Sequence, residues 1–334
     1  MTESELDDLL STPRAETIQS LRACPGDVIV LGAGGKMGPT LARMVARAAG
    51  SDRRVLAVSR WSSAGTERAL NDAGVETIQC DLLDAAAVRR LPDAPNVIYM
   101  AGQKFGTSGA PAMTWAMNTI VPYLCADRYR GSRIVAFSTG NVYPLVPVDS
   151  AGARESDPVG PIGEYAASCV GRERIFELFA DRFGTRVAIV RLNYAIDLRY
   201  GVLVDLAVRV KNEDPVELAM GYVNVIWQGD ANRIAIECLP RAAAPPFVLN
   251  LTGEDRLSVR TLAEWFGARF GTVPRLVGSE RPDALLSNTE RMRSLFAGPE
   301  VSLDRMLEMV ADWVDEGGPL LGKPTKFEAR DGRF

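Results

Sequence analysis

Short apolar runs alternate with longer amphipathic stretches along the first two thirds of the chain. The apolar runs lie near residues 27–32, 54–59, 76–79, 96–100, 132–138 and 186–191 and predict strands, with helices between them. A helical leader, about residues 3–22 and broken near Pro13, precedes the first strand. This alternation predicts an α/β fold with a mostly parallel, doubly wound sheet and right-handed crossovers.

Beyond Arg191 the pattern becomes less regular. Helices are predicted near 202–213, 228–239, 258–270 and 302–316, and short strands near 223–226 and 247–250. We interpret this part as a smaller C-terminal α+β lobe. The polar tail, residues 322–334, is expected either to dock on that lobe or to fray.

Composition is that of an enzyme-sized globular chain. Its 334 residues are 47% hydrophobic and 24% charged, with a net charge of -4 and no histidine. A chain of this size can bury a large α/β core. Its negative net charge does not provide the excess of positive charge that is typical of nucleic-acid-binding proteins. No apolar stretch approaches the ~20 residues that span a bilayer, and the acidic N-terminus is unlike a signal peptide. We therefore expect a cytoplasmic protein with no nucleic-acid or membrane partner.

The scarcity of metal-ligating and nucleophilic residues narrows the chemistry further. The five cysteines are scattered without a CxxC pair, so neither a disulfide framework nor a zinc site is expected. Without histidine, His-based triads and His general bases are excluded.

A glycine-rich turn follows the first predicted strand. The apolar run 28–31 leads into glycines at 32, 34, 35 and 38, and a helix follows from Pro39. In a strand–turn–helix unit, such glycines permit a sharp turn, close approach of backbone N–H groups to a pyrophosphate, and close helix packing. A tight turn in another kind of α/β protein is the alternative. The predicted cofactor-binding residues of this turn are Gly32, Gly34, Gly35, Lys36, Met37 and Gly38.

The residues after the second strand favour NADP over NAD. An acidic residue there would accept a hydrogen bond from the ribose 2′-hydroxyl, but this chain has Ser59 and Arg60. Arg60 can pair with a 2′-phosphate, with Ser59, Ser62 and Lys36 as further donors. Because Arg60 can equally be a solvated surface charge, NAD stays open. Further cofactor contacts are expected from Asp81 and Leu82 after the third strand and from Ala101 and Gly102 after the fourth.

Together these motifs resemble the extended short-chain dehydrogenase/reductase superfamily, and more narrowly the NAD-dependent epimerase/dehydratase family. The resemblance covers Asp27 to about Leu239. It rests on the glycine turn, Asp81-Leu82-x-Asp84, Ala101-Gly102, Asn118, the stretch 137–143, Tyr165-Ala-Ala-Ser168 and the stretch 225–231. It implies a cofactor contact at Asn118, a proton-exchanging Tyr165 that also holds the cofactor, and a Thr139 that orients the substrate carbonyl. It also implies a sugar-like or sugar-acid substrate and a homodimer formed through the helices at 110–127 and 161–182.

One position departs from that family. Its tyrosine is followed four residues later by a lysine that lowers the pKa of the phenol, whereas this chain has Cys169. A phenol, with a reference pKa of ~10, is a poor base at neutral pH without a nearby cation. We expect Lys104, on the loop after the fourth strand, to supply that charge, with Arg172 as the weaker candidate. A solvated loop lysine is the alternative for Lys104.

These observations predict three domain-level parts and leave three functions open. The parts are an N-terminal helical extension (1–25), a Rossmann dinucleotide-binding domain (26–195, with returning segments near 221–250) and a mainly substrate-binding lobe (196–334). The preferred function is an NAD(P)-dependent oxidoreductase with Tyr165, Thr139 and Lys104 as catalytic residues. A nucleotide-sugar epimerase or dehydratase that keeps its cofactor bound is one alternative. The other is a non-catalytic NADP-binding sensor, for which the missing helix lysine is the main argument.

Overall fold

A parallel sheet forms the centre of the molecule. The computed structural model describes residues 1–62, 64–104, 106 and 109–333, and within them seven strands form this sheet. The strands are β1 (Val28–Leu31), β2 (Val55–Ser59), β3 (Glu76–Gln79), β4 (Asn96–Tyr99), β5 (Arg133–Thr139), β6 (Arg186–Leu192) and β7 (Phe247–Leu251). Their order is β7-β6-β5-β4-β1-β2-β3, and neighbouring strands run parallel. The predicted doubly wound α/β fold is confirmed.

The order of strands reverses between β1 and β4, which places a crevice at their carboxyl ends. Strands β1 to β6 coincide with the predicted strands to within one residue at each end. All except β3, which is the partly exposed edge strand Glu-Thr-Ile-Gln, are largely apolar. Strand β7 belongs to a late segment that returns to the sheet beside β6.

Helices cover both faces of the sheet and build most of the lobe. They are α1 (Glu3–Leu10), α2 (Ala15–Arg22), α3 (Gly38–Ala49), α4 (Ala64–Asp72), α5 (Ala85–Arg89), α6 (Pro111–Trp115), α7 (Val121–Arg128), α8 (Gly163–Phe183), α9 (Val202–Lys211), α10 (Gln228–Glu237), α11 (Val259–Phe270), α12 (Glu290–Leu295) and α13 (Leu303–Asp315). A π-helical turn, Ala116–Ile120, joins α6 to α7. Within the described residues, no helix has both the length and the apolar character needed to cross a bilayer.

Short strand pairs complete the lobe and tie it to the sheet. Ala195–Ile196 pairs with Ile226–Trp227, Val216–Glu217 with Leu276–Val277, Tyr222–Val223 with Leu257–Ser258, and Val146–Pro147 with Asp283–Ala284. The lobe has its own apolar core, formed largely by α9, α11 and α13.

The N-terminal helices pack into both parts of the molecule. Leu6 and Leu10 of α1 are fully buried in the lobe core, and Leu21 of α2 is buried in the core beside the sheet. The hydroxyl of Thr17 donates to Oε1 of Glu237 on α10 at 2.8 Å. The extension thus joins the sheet to the lobe.

Candidate active site

The glycine turn lies at the crevice, directly after β1. Gly32 has φ +88°, and a Cβ there would lie 2.6 Å from the Ala101 nitrogen. A Cβ on Gly38, the first residue of α3, would lie 2.3 Å from the Ala33 carbonyl oxygen. Gly35 is exposed, and the nearest atom to its hypothetical Cβ is the Gly32 oxygen at 3.5 Å. The space over Gly35 is therefore open at the start of a helix, which suits an anionic pyrophosphate.

Ser59 stands beside this turn. A Cβ on Gly34 would lie 2.3 Å from the Ser59 hydroxyl, so the turn and the end of β2 are in close contact. Arg60 is exposed next to it, and its carbonyl accepts from the Gln79 side chain at 3.4 Å. At the end of β3, the Asp81 carboxylate accepts from the Leu83 nitrogen at 3.0 Å. The residues expected to face the ribose and the adenine thus share one edge of the sheet.

Lys36 of the glycine turn faces the lobe. Its Nζ lies 3.2 Å from the centre of the Tyr200 ring, on the loop before α9. Loss of hydration, together with the charges of Lys104 and Lys323, lowers the pKa of Lys36 to about 7. This contact turns the ammonium toward the lobe, so Ser59 and Arg60 remain the candidates at the ribose.

Tyr165 and Thr139 meet at the carboxyl end of β5. Thr139 ends that strand, and Tyr165 lies in the first turn of α8. The phenol lies near the Thr139 hydroxyl and near the Cys169 thiol one turn further along α8, and both groups act on its pKa. Loss of hydration raises the pKa of Tyr165 well above its usual value, and Cys169 raises it further, whereas Arg172 and Thr139 lower it. The tyrosine is therefore a weak acid that needs positive charge to ionise.

Cys169 is fully buried beside the phenol. Burial raises the pKa of its thiol, although Arg172 and Lys104 act in the opposite direction. A buried, protonated thiol lacks the activation of a reactive cysteine, so Cys169 serves as a small neighbour of the tyrosine.

Arg172 brings a fixed positive charge to the same place. It is buried, and its guanidinium donates to the Phe137 carbonyl at 2.9 Å and to Oδ1 of Asn118 at 2.5 Å. A Cβ on Gly102 would lie 2.3 Å from its Nη2. Sequence reasoning placed Arg172 behind Lys104 because it lies seven residues from Tyr165. Its guanidinium nevertheless acts on the phenol, and a charged residue on the buried face of α8 was the available signal.

Asn118 ties the loop after β4 to α8. Its Oδ1 also accepts from the Gln103 nitrogen, and its Nδ2 donates to the Gln103 carbonyl, both at 3.0 Å. The same amide nitrogen donates to the Ser168 hydroxyl at 2.9 Å. Asn118 lies on the π-helical turn, a feature frequent at functional sites. The asparagine therefore positions the loop that carries Lys104.

Lys104 lies between the sheet and the lobe. Its Nζ donates to the Thr325 carbonyl at 3.3 Å and lies 6.0 Å from the centre of the Tyr194 ring. Loss of hydration lowers the pKa of Lys104 to about 8, while Cys169 and Asp205 oppose that shift. Lys104 and Arg172 thus both place positive charge near the Tyr165–Cys169 pair.

A sequence model of the NAD dependent epimerase/dehydratase family matches residues 28–196, which include β1 to β6 and α8, the helix that contains Tyr165. The chain belongs to this family. None of the curated proteins matches its sequence.

Solved structures of epimerases have the same fold as this family member. UDP-glucose 4-epimerase from Thermotoga maritima, with UDP-glucose, is 18% identical and matches over 87% of this chain and 99% of its own, with a TM-score of 0.73. An epimerase from Methanothermobacter thermautotrophicus is 18% identical and matches over 91% of this chain and 96% of its own, with a TM-score of 0.75. UDP-glucuronic acid 4-epimerase from Bacillus cereus, with a UDP-fluoroglucuronic acid and NAD, is 17% identical over 87% and 99%, with a TM-score of 0.73. At these identities the likeness shows the fold alone.

A nicotinamide dinucleotide fits the crevice of this epimerase/dehydratase family member. The open face of Gly35 and the start of α3 suit the pyrophosphate, and the edge formed by Ser59 and Asp81 suits the adenosine half. The nicotinamide half would then point toward Thr139 and Tyr165, because those residues end and follow a strand on the other side of the switch point.

Proposed function

We propose that this protein is a nicotinamide-dependent enzyme that acts on a carbon bearing a hydroxyl or carbonyl in a small sugar-like substrate. The observation that carries the proposal is the approach of Tyr165, in the first turn of α8, to Thr139 at the carboxyl end of β5. Family membership supports a nicotinamide cofactor. UDP-glucose in the Thermotoga protein and NAD in the Bacillus cereus protein support a sugar-like substrate and that cofactor class.

Each residue has a distinct role in this proposal. The cofactor, when bound, supplies the site that accepts or gives hydride. Thr139 donates to the reacting oxygen and fixes its position, and Tyr165 gives or takes the proton. Because the phenol is a weak acid here, the positive charge of Arg172 stabilises its ionised form, and Lys104 adds positive charge beside the neighbouring Cys169.

Tyr165→Phe tests the catalytic role directly. The variant keeps the ring and loses the exchangeable proton, so turnover is expected to fall by about 10²- to 10⁴-fold, far more than the affinity for NAD(P)H. The matched control is Tyr123→Phe, because Tyr123 is 48% exposed on α7, away from the site. Turnover is measured as NAD(P)H-dependent reduction of a panel of sugars and keto acids. Undiminished turnover in Tyr165→Phe contradicts the proposed role.

NADP is the cofactor we propose first, with NAD as the alternative. The support is the exposed Arg60 beside Ser59 at the end of β2, where an acidic side chain would favour NAD. Arg60→Ala is expected to weaken NADPH binding and leave NADH binding unchanged in fluorescence titrations, with the exposed Arg22→Ala as control. Equal loss for both cofactors argues against a 2′-phosphate contact.

An epimerase or dehydratase that retains its cofactor is the second candidate, favoured by the family and by the epimerase fold. The two reactions differ in their cofactor balance. An epimerase converts substrate without net change of NAD(P)H and is purified with cofactor bound, whereas the oxidoreductase consumes one cofactor per turnover. If the protein binds cofactor but catalyses neither reaction, the remaining candidate is the non-catalytic NADP-binding sensor.

We also propose a homodimer through α6, α7 and α8. These helices carry large apolar side chains that are exposed in the single chain, a feature typical of an interface. They are Met113, Ile120, Tyr123, Leu178 and Phe183.

A further inference from the structure

Residues 323–333, here called the C-terminal strap, dock along the crevice instead of fraying. The strap begins beside the loop after β4, crosses the lobe and ends at the start of α8, the helix of Tyr165. Three successive sets of contacts define this path.

The first set lies at Thr325. Its nitrogen and its hydroxyl both donate to Oδ2 of Asp205 on α9, at 2.7 and 2.6 Å. Its carbonyl accepts from Nζ of Lys104, on the sheet side of the crevice. Thr325 therefore joins the lobe to the loop after β4.

The second set anchors the middle of the strap in the lobe. Phe327 is 0% exposed and belongs to the lobe core, and its carbonyl accepts from the Tyr194 hydroxyl at 3.5 Å. The Glu328 carboxylate accepts from Arg209 on α9 at 2.7 Å. The buried side chain and the two polar contacts hold the middle of the strap against the lobe.

The third set returns the strap to the sheet side. Arg330 donates to the carbonyls of Ala219 at 3.0 Å and Asp283 at 2.8 Å, and pairs with the Asp283 carboxylate. Gly332 then lies against the start of α8, where a Cβ on it would be 2.2 Å from the Ile162 carbonyl oxygen. This contact is only a few residues before Tyr165.

We propose that the C-terminal strap is a wall of the substrate site that limits the substrate to a small free sugar acid, without an attached nucleotide. The strap touches the sheet side at Lys104 and at Ile162 and the lobe between them, so it closes the crevice that holds Tyr165. A long diphosphate-linked substituent would have to displace it. This inference rests on the proposed function.

Charge inside the closed crevice favours the acid. Lys36 and Lys104 both reach into it, Lys36 against Tyr200 and Lys104 against Thr325. Lys323 lies within electrostatic range of Lys36, and Lys326 within that of Lys104. The carboxylates of Asp205 and Glu328 face the same amines, but Asp205 accepts from Thr325 and Glu328 pairs with Arg209. Positive charge is therefore in excess where a carboxylate of the substrate would lie.

The first experiment shortens the strap. A variant that ends at Ala329 loses Arg330 and Gly332 and keeps the Phe327 anchor. Binding of UDP-glucose to the protein saturated with NAD(P)⁺ is measured by calorimetry. We expect at least tenfold tighter UDP-glucose binding in the shortened variant than in the full chain. Equally tight binding to both overturns the proposal.

A pair of single substitutions guards against misfolding of the shortened variant. Gly332→Ala and Gly322→Ala impose similar backbone strain, because the two φ angles are +71° and +62°. Only the first meets a neighbour, since nothing lies within 4 Å of a Cβ on Gly322. Gly332→Ala is expected to admit UDP-glucose and Gly322→Ala to behave like the unaltered protein. Identical behaviour of the two variants overturns the proposal.

The substrate assignment is tested with free acids such as D-gluconate and D-galacturonate against neutral D-glucose. We expect an acid of the panel to bind at least tenfold more tightly than D-glucose, and Lys104→Met to remove the difference. Failure of every acid overturns the assignment. Loss of NAD(P)H binding in the unaltered protein would refute the proposed function as a whole. Normal cofactor binding and a Tyr165-dependent reaction, with no effect of the strap variants, would refute the strap proposal alone.

Discussion

A Cβ on Gly102 would lie 2.3 Å from Nη2 of Arg172. The backbone after β4 and the guanidinium therefore occupy complementary space, and Asn118 holds both through the same carbonyl oxygen. The glycine that sequence reasoning assigned to the cofactor has a structural reason of its own, which is to make room for the arginine.

Gly102→Ala is accordingly expected to displace the guanidinium. The added methyl group is expected to destabilise the protein by about 1–3 kcal/mol, as overpacking of a buried site usually does. Gly131→Ala is the matched control, because nothing lies within 4 Å of a Cβ there. Thermal unfolding of the two variants gives the comparison, and an unchanged midpoint for Gly102→Ala would show that Arg172 is not confined at this point.

The pH dependence of the oxidation rate shows which cation lowers the pKa of Tyr165. Arg172 lowers the pKa of the phenol, so Arg172→Met raises it further and moves the alkaline rise in the oxidation rate to higher pH. Each pKa unit corresponds to ~1.4 kcal/mol, so a shift of one unit lowers the rate at neutral pH about tenfold. Lys104→Met is run in parallel. A shift in Lys104→Met with none in Arg172→Met would assign the role to the loop lysine.

Cofactor affinity is expected to fall as the pH rises above neutrality. Loss of hydration lowers the pKa of Lys36 to about 7 in the free protein, so the side chain is charged below that pH and neutral above it. An anionic pyrophosphate favours the charged form, and binding at higher pH must take up a proton. The Kd is expected to rise by up to about tenfold per pH unit above 7. Lys36→Met should flatten this dependence and Lys211→Met should keep it; a steep profile in Lys36→Met would contradict the argument.

The proposed dimer is tested by a charge on its apolar face. Tyr123→Glu is expected to give a monomer in light scattering after size-exclusion chromatography, because it would bury a carboxylate between two copies. Val273→Glu is the control, since Val273 is 88% exposed on a different part of the surface. A monomeric unaltered protein would remove this proposal.

Hydrophobic periodicity accounted for the strands β1 to β6 of the sheet. The choice of Thr139 and Tyr165 came from the family resemblance. The two lie near each other because Thr139 ends β5 and the helix of Tyr165 begins at the same carboxyl edge of the sheet. The path of the strap could not be foreseen in this way. The hydrogen bond from Thr325 to Asp205 joins residues 120 positions apart. Hydrogen bonds made by a polar tail produce no repeating pattern of hydrophobic residues in the sequence. The position of the Arg172 guanidinium likewise depends on its bonds to Phe137 and Asn118, which lie 35 and 54 positions away in the sequence.

The lysines of this chain are gathered at one place. Of the five in the sequence, Lys36, Lys104, Lys323 and Lys326 lie on the glycine turn, the loop after β4 and the strap. Because Lys36 and Lys104 have pKa values of about 7 and 8, both amines lose their charge over a narrow range of pH just above neutrality, in which ordinary lysines and arginines stay protonated. The electrostatic potential of this crevice therefore falls with alkalinity while that of the outer surface stays nearly constant.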